Sequence, residues 1–202
     1  MSLRIDHVVT SGIFSLDGDD FEVDNNIWLL GDDDEVLIFD AAHDHRPILD
    51  AVGGRKVTAV VCTHGHNDHI NAAVELATVA NAPIWLHADD TMLWDVVNPD
   101  RRIDAPLMDG QSITIAGSDV AVMHTPGHSP GGCCFHVPDL ATVFSGDTLF
   151  NGGPGATGRS FSSHDLLVES IRRSLMPLDD ITVVKTGHGD DTSIGAERAG
   201  IG

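Results

Sequence analysis

The sequence predicts an α/β fold in which several strands end in turns that carry potential metal ligands. Residues 57–62 form a dense run of β-branched and apolar residues, which is typical of a buried strand. Helix-starting residue types follow, and apolar residues at helical spacing predict a helix over residues 68–80. Three later apolar runs lead into glycine-containing turns, at residues 120–123, 141–144 and 181–184. Because open α/β sheets bind ligands beyond the carboxyl ends of their strands, we expect these turns to meet along one edge.

The first of these turns is dense in metal-ligand side chains. Within six residues it contains His64, His66, Asp68 and His69. Gly65 lets the backbone turn sharply, so that alternate side chains can converge on one point. Imidazole and carboxylate are preferred ligands of a borderline divalent metal such as zinc. The alternative is a surface loop that is histidine-rich by chance, and this density of ligand types between a strand and a helix argues against it.

The later turns add His124 and His128, Asp147, and His188. With the Thr125-Pro126-Gly127-His128 and Gly187-His188 turns and the segment at residues 145–150, the pattern resembles the metallo-β-lactamase-fold hydrolases, and most of all their glyoxalase II (hydroxyacyl-thiol hydrolase) branch. The resemblance runs from about residue 25 to about residue 195. It implies an αββα sandwich, with two mixed β-sheets face to face and helices outside, as a single domain over residues 1–202.

The resemblance also implies two divalent metal ions, with Zn²⁺ expected and Fe or Mn as alternatives. The first ion would be held by His64, His66 and His128, and the second by Asp68, His69 and His188, with Asp147 bridging the two. A hydroxide shared by the ions would attack the substrate, and Asp68 would help to hold and orient it, which makes Asp68 the expected catalytic residue. A histidine at position 69 and an aspartate at position 147 also set the chain apart from the zinc enzymes that open β-lactams.

The activity implied is hydrolysis of a thioester between a small acyl group and a low-molecular-weight thiol. A thiolate leaves readily because thiols ionise near pH ~8.5, so no strong general acid is needed. The main alternative is a persulfide dioxygenase of the same fold, with a single iron held by His64, His128 and Asp147. A lactonase is a further alternative, and a non-catalytic metal-binding module is the last.

Arg159 is the expected substrate-binding residue. It ends a glycine-rich stretch at residues 151–159 that lacks the Gly-Lys-Ser/Thr ending of a phosphate-binding Walker loop. Gly158-Arg159 matches a Gly-Arg or Gly-Lys pair found in the resembled thioester hydrolases. A guanidinium binds a carboxylate with two parallel hydrogen bonds, so Arg159 suits an anionic substrate group. The alternative is an arginine that ties the loop to the core.

Two strands, at residues 6–14 and 25–30, flank a turn at residues 17–20. The resemblance implies that this hairpin overhangs the site. Phe14, Phe21 and Trp28 on this hairpin either border the substrate or belong to the core.

Several other polar residues invite a role beside the metal ligands. Asp40, at the end of a buried strand, is expected to orient a metal-bound histidine. His43-Asp44-His45 imitates a ligand pair, but we interpret it as a solvated helix start. Asp89 is expected to cap a helix. His124 is either a buried strand end or part of the metal pocket. The remaining histidines have no expected role in the site, and they are His7, His87, His136 and His164.

Composition narrows the class of partner. Acidic residues outnumber basic ones, 31 to 11, for a net charge of −20, which argues against nucleic acid because phosphate backbones need clustered lysine and arginine. No segment has the ~18 consecutive apolar residues of a membrane span, and no secretory signal is recognised. Three cysteines fit a reducing compartment better than a disulfide framework. We therefore expect a cytoplasmic enzyme of a small-molecule substrate, with its oligomeric state left open.

The identity of the thiol is also constrained. In the resembled glyoxalase II enzymes a helical domain after the last metal histidine supplies much of the glutathione-binding surface. Here 14 residues follow His188 (202 − 188), and the chain contains no tyrosine. We therefore expect that glutathione is not the preferred thiol, with mycothiol as one candidate.

Overall fold

The computed structural model describes residues 2–16 and 18–201, so Asp17 of the predicted hairpin turn lies outside the described residues. Within these ranges the strands form two six-stranded sheets and a two-stranded ribbon. The first sheet contains, in spatial order, β1 (Arg4–Leu16), β2 (Asp19–Gly31), β3 (Glu35–Phe39), β4 (Lys56–Val61), β5 (Ile84–His87) and β6 (Ala105–Leu107). The second contains, in chain order, β7 (Ser112–Ile115), β8 (Ser118–His124), β9 (Cys133–Val137), β10 (Thr142–Gly146), β13 (Val183–Thr186) and β14 (Thr192–Ser193). The ribbon pairs β11 (Leu149–Phe150) with β12 (Gly153–Pro154).

Both large sheets are mixed. In the first sheet, β1, β2 and β3 pair antiparallel, and β3 to β6 pair parallel. In the second sheet, β10 and β13 are parallel and the other pairs are antiparallel. The helices are α1 (His45–Val52), α2 (Asn67–Ile70), α3 (Ala73–Ala80), α4 (Thr91–Val97), α5 (His164–Ser170) and α6 (Ile194–Ile201), and α5 continues as a π-helical turn at Ile171–Leu175.

The core is divided into three apolar layers, which is what an αββα sandwich requires. Along β2, Ile27 and Leu29 pack with the helices α1 and α3, whereas Trp28 and Leu30 pack between the sheets. This alternation follows from the two-residue period of a strand that is buried on both faces. A third layer joins the outer face of the second sheet to α5 and α6. The predicted fold class is confirmed.

The predicted helix over residues 68–80 is wrong at one point, because it is broken between α2 and α3. The amide of Ala72 donates to the carbonyl of Ala41 (3.0 Å), and the amide of Ala41 donates to the carbonyl of His69 (2.9 Å). These two bonds replace the i to i−4 bonds that a continuous helix would make there. The break leaves Asp68 and His69 in a short turn of their own at the sheet edge.

Among the described residues, no helix has the length and apolar character needed to cross a membrane.

Candidate metal centre

The structure brings all seven predicted ligand residues together at one edge of the sandwich. They lie in four turns, which follow β4, β8, β10 and β13. β4 belongs to the first sheet and lies between parallel neighbours, whereas β8, β10 and β13 belong to the second. β10 and β13 are parallel, and β8 runs the same way because β9 is antiparallel to both β8 and β10. The sheet edge predicted from the sequence is therefore the place where the side chains meet.

Three imidazoles form the first group, which we call the first triad: His64, His66 and His128. His66 Nδ1 lies 3.0 Å from His64 Nε2 and 2.9 Å from His128 Nε2. The three rings are close to perpendicular, at 81–86° to one another. Tetrahedral ligands at 2.0–2.1 Å from zinc lie roughly 3.3 Å apart, so the nitrogen atoms are nearly at the separation that a shared ion requires.

Asp68, His69 and His188 form the second triad. His69 Nε2 lies 3.2 Å from His188 Nε2, and Asp68 Oδ2 lies 3.5 Å from the first nitrogen and 3.3 Å from the second. These separations again match three ligands around one ion. Two imidazoles and a carboxylate suit zinc or a similar transition metal.

Asp147 lies between the two triads. Its Oδ1 is 3.4 Å from His69 Nε2, and its Oδ2 is 3.5 Å from His128 Nε2 and 3.6 Å from His188 Nε2. Oδ1 is buried and has no hydrogen-bond partner within the described residues. A buried carboxylate oxygen without a partner is costly, and a cation beside it would remove that cost. The residues present therefore fit a pair of metal ions with Asp147 between them.

Hydrogen bonds to Asp40 and Thr63 fix the ring orientations of His69 and His64. His69 Nδ1 donates to Asp40 Oδ2 at 2.8 Å, which leaves the Nε2 lone pair facing the site. Thr63 Oγ1 donates to the same carboxylate at 2.9 Å and can accept from His64 Nδ1 at 3.0 Å. The expectation that Asp40 orients a histidine of the site is confirmed.

Backbone carbonyls fix two more rings. His128 Nδ1 donates to the carbonyl of Ala156 at 2.8 Å, and His188 Nδ1 donates to the carbonyl of Asp24 at 2.7 Å. Because a carbonyl only accepts, the hydrogen must lie on Nδ1 and the Nε2 lone pair is free for a metal.

The two triads differ in their electrostatics. Burial, with a contribution from His128, lowers the pKa of His66 to about 3, and burial also lowers the pKa of His64, so these two imidazoles of the first triad are neutral. Burial also opposes a charge on His69, but Asp68, Asp147 and Asp40 outweigh it and raise the pKa of His69 to about 10. The carboxylates around His69 thus favour positive charge at this point, and a bound metal ion would supply it.

Asp90 is a site residue that sequence reasoning missed. Its fully buried carboxylate accepts from the amides of Gly65 (2.8 Å) and Gly131 (2.6 Å) and from the hydroxyl of Ser129 (2.7 Å). It therefore ties the turn of His64 and His66 to the turn of His128. The sequence drew attention to Asp89 instead, which is exposed and caps no helix with its side chain.

A cavity of about 400 Å³ opens beside the first triad, at His66 and His128. Phe14 and Phe21 line it, as does Arg159, whose guanidinium carbon lies 5.5 Å from the centre of the Phe21 ring. Arg159 is half-exposed, and its nearest carboxylate oxygen, on Asp19, is 3.9 Å away. A cavity of about 460 Å³, lined by residues 11–13 and 22–24, contains none of the seven ligands. The cavity at His66 is therefore the one that a substrate of this site would enter.

Trp28, by contrast, does not border this cavity. It is buried between the sheets, stacks on His7 with ring centres 4.0 Å apart, and donates from Nε1 to the carbonyl of Thr186. Its position in the inner layer follows from the register of β2, in which alternate residues face the helices.

His43 and His45 are not among the clustered ligands. His45 pairs with the exposed Glu75 at 3.1 Å, as expected for a solvated helix start. His43 lies closer to the centre than expected, because its Nε2 is 2.8 Å from Oδ1 of the buried Asn25.

His124 belongs to a separate cluster with His87 and Asp89, which we call the His87–His124 pair. The two rings stack with centres 4.0 Å apart and planes 10° apart. His124 Nε2 donates to the carbonyl of Pro130 at 2.9 Å, and His87 Nδ1 lies 3.7 Å from Asp89 Oδ2. Of the two possibilities left open for His124, a strand end is correct and a place in the metal pocket is wrong.

Two mixed sheets with a histidine and aspartate cluster at their shared edge define a class of metal-binding αββα proteins. Residues 21–188 match the metallo-beta-lactamase superfamily, and the chain belongs to this superfamily of metallo-hydrolases. The resemblance predicted from the sequence is confirmed.

Three similar proteins illustrate the range within the superfamily. Hydroxyacylglutathione hydrolase GloC of Haemophilus influenzae is 34% identical, and the match covers 69% of this chain and 72% of GloC. The crystal structure of the BLEG-1 B3 metallo-beta-lactamase superimposes with a TM-score of 0.80 at 29% identity, covering 94% of this chain and 97% of that one. The crystal structure of TTHA1623 in a di-iron-bound form superimposes with a TM-score of 0.78 at 30% identity, covering 87% of this chain and 93% of that one.

Proposed function

We propose that the chain is a dinuclear metal-dependent hydrolase that cleaves the thioester of a small acyl group and a low-molecular-weight thiol. The observation that carries the proposal is the pair of converging triads with the carboxylate of Asp147 between them. Seven donor residues exceed what a single iron held by His64, His128 and Asp147 would use, so the two-ion hydrolase is preferred over the dioxygenase. The likeness to hydroxyacylglutathione hydrolase GloC supports a thioester substrate.

When bound, two ions would lower the pKa of a shared water and polarise the substrate carbonyl. His64, His66 and His128 would hold one ion, and Asp68, His69 and His188 the other. We assign Asp68 the role of orienting the attacking water and accepting a hydrogen bond from it. His69 and His188 outweigh the effect of burial on Asp68 and hold its pKa well below the usual range, so the carboxylate is ionised.

The cavity beside the first triad supports an acyl group of modest size. Phe14 and Phe21 supply its apolar wall, and Arg159 supplies a cation that suits an anionic group of the acyl or thiol part. Glu22 is the only residue with a carboxylate among the described residues that line this cavity. A thiolate needs no strong acid to leave, whereas a poor leaving group would.

The test is a panel of one acyl group on several thiols, glutathione included, with release of the thiol measured by a thiol-reactive dye on metal-loaded protein. The matched oxygen ester, a lactone and a β-lactam are run in parallel, together with oxygen uptake on a persulfide. We expect a kcat/KM for at least one thioester that exceeds those for the ester, lactone and lactam by 10-fold or more, given that a thiol ionises at about pH 8.5. Oxygen uptake without thioester turnover would overturn the proposal in favour of the dioxygenase.

The thiol and the metal are decided in the same experiment. We expect a thiol other than glutathione to give the higher kcat/KM, and a glutathione ester at or above all others would contradict this. Two ions per chain are expected by metal analysis, with zinc as our proposal and iron as the alternative supported by the di-iron form of TTHA1623.

A further inference from the structure

Asn25 lies against the second triad, although it is not one of the predicted ligands. Its Nδ2 is 3.2 Å from Asp68 Oδ2, 3.3 Å from His69 Nε2 and 3.5 Å from His188 Nε2. The side chain is fully buried, so these contacts are not exchanged for water. Among the three neighbours, the carboxylate is the natural acceptor of an amide hydrogen, because the two nitrogen lone pairs face the ion site.

The direction of this amide can be traced from a donor that is not ambiguous. The backbone amide of His43 donates to Asn71 Oδ1 at 2.6 Å, which places the Asn71 amide nitrogen 3.3 Å from His43 Nδ1. That nitrogen donates, so His43 Nδ1 accepts and the ring hydrogen is on Nε2. His43 Nε2 then donates to Asn25 Oδ1 at 2.8 Å, and Asn25 must turn its NH₂ group toward Asp68.

His43 is held firmly enough to impose this direction. Its backbone is in the left-handed region, at φ 61°, which is uncommon for a residue other than glycine. A Cβ added to Gly12 would come within 2.2 Å of His43 Nδ1, so the ring is pressed against the backbone of β1. Partial burial lowers the pKa of His43, so near neutral pH the ring has one donor nitrogen.

We propose that Asn25 is a positioning residue of the second ion site, which orients the carboxylate of Asp68, and that His43 holds the amide of Asn25 in the direction this requires. The proposal rests on the two-ion site proposed above. A hydrogen bond to a ligating carboxylate fixes which oxygen faces the ion, and the loss of such a contact typically weakens metal binding by roughly 10–100-fold.

The test is titration of the metal-free chain with Zn²⁺ against a competing chelator, which would resolve one binding step for each ion site. We call binding at the first triad the first step and binding at the second triad the second step. Asn25→Ala should weaken the second step by roughly 10–100-fold and leave the first within about twofold. His43→Asn should weaken the second step less, since Asn25 stays but its amide is free to turn. Asparagine tolerates the left-handed backbone of position 43, so this variant separates loss of the contact from misfolding.

Thr10→Val is the matched control. Thr10 pairs with Asn25 across β1 and β2, is buried, and its Oγ1 has no hydrogen-bond partner within the described residues. It should keep both binding steps. Wild-type protein that binds one ion would overturn the two-ion site and this proposal together. Two ions in the wild type, with both steps unchanged in Asn25→Ala, would overturn this proposal alone. A loss in His43→Asn that is smaller than that in Asn25→Ala and confined to the second step, with the unfolding temperature unchanged, would support the role of His43, and an unchanged second step would overturn that role.

Discussion

The metal centre and the His87–His124 pair contain the same kinds of side chain at similar separations, but their rings are oriented differently. In the first triad the ring planes are 81–86° apart with centres 4.7–4.9 Å apart, whereas in the pair they are 10° and 4.0 Å apart. An imidazole lone pair lies in the plane of its ring. Lone pairs in perpendicular planes can meet at one point, and those in stacked planes run side by side. The angle between the rings therefore distinguishes a metal site from a histidine cluster better than the distance does.

The sharpest way to break this comparison is to remove one histidine from each group. His124 and His128 are four residues apart at the end of β8. His128→Ala should lose the ion of the first triad and most of the turnover, while His124→Ala should retain both ions. Metal analysis after exhaustive dialysis measures this. Loss of one ion from His124→Ala would show that the stacked pair binds a metal after all.

A second test compares Asp147, between the triads, with Asp40, behind His69. Asp147→Ala removes the carboxylate that both ions would share, and loss of one partner of a buried charge pair costs about 3–5 kcal/mol, or roughly 10²–10⁴-fold in affinity. Asp40→Asn should cost about 10–100-fold, because it acts through His69. Isothermal titration of the metal-free variants measures both. Equal losses would contradict the bridging assignment of Asp147.

The neighbours Asp89 and Asp90 provide a third test, since both lie near the His87–His124 pair but only one ties the ligand turns together. Asp90→Asn places an NH₂ group among three donors and should weaken binding to the first triad by roughly 10–100-fold. Asp89→Asn changes an exposed side chain and should have no effect on either ion. A chelator competition at fixed pH measures the difference, and equal affinities in the two variants would remove Asp90 from the site.

The smallest expected effect is a pH dependence of stability that comes from the stacked pair. Burial, with a contribution from His124, lowers the pKa of His87 in the folded state below its ordinary value of 6.5. Below that value the unfolded chain binds the proton more readily, so the stability contributed by neutral His87 is present above pH 6.5 and is lost as the pH falls through it. In denaturant unfolding of metal-free protein at pH 5.5–8, the free energy of unfolding should therefore depend less steeply on pH in His87→Gln than in the wild type. Identical slopes would show that His87 does not titrate in this way.

The ligands were predictable because each follows a strand, and the direction of a strand determines where its end lies. Asp40 was predictable for the same reason. Asp90 was not, because its role arises only when the two sheets dock and bring the turns of Gly65 and Gly131 together. Asn25 was not, because its contact with Asp68 joins residues 43 apart in the sequence and forms only when β2 takes its place in the first sheet. The break after Ile70 depends on Ala41, which is far away in sequence, and no periodicity within residues 68–80 could indicate it. The side of β2 on which Trp28 lies was equally open, because both of its faces are buried.

The division of each triad between the two sheets has a consequence for how the protein holds together. His64 and His66 come from the first sheet and His128 from the second, and Asp68 and His69 are likewise joined by His188 from the second sheet. Each bound ion would thus act as a cross-link between the two halves of the sandwich. Binding to the folded state alone adds RT ln(1 + [L]/Kd) to its stability, about 4.1 kcal/mol at 1,000 times Kd. Chelation should then loosen the seam between the sheets before it affects either sheet itself, and hydrogen exchange would be fastest along that seam.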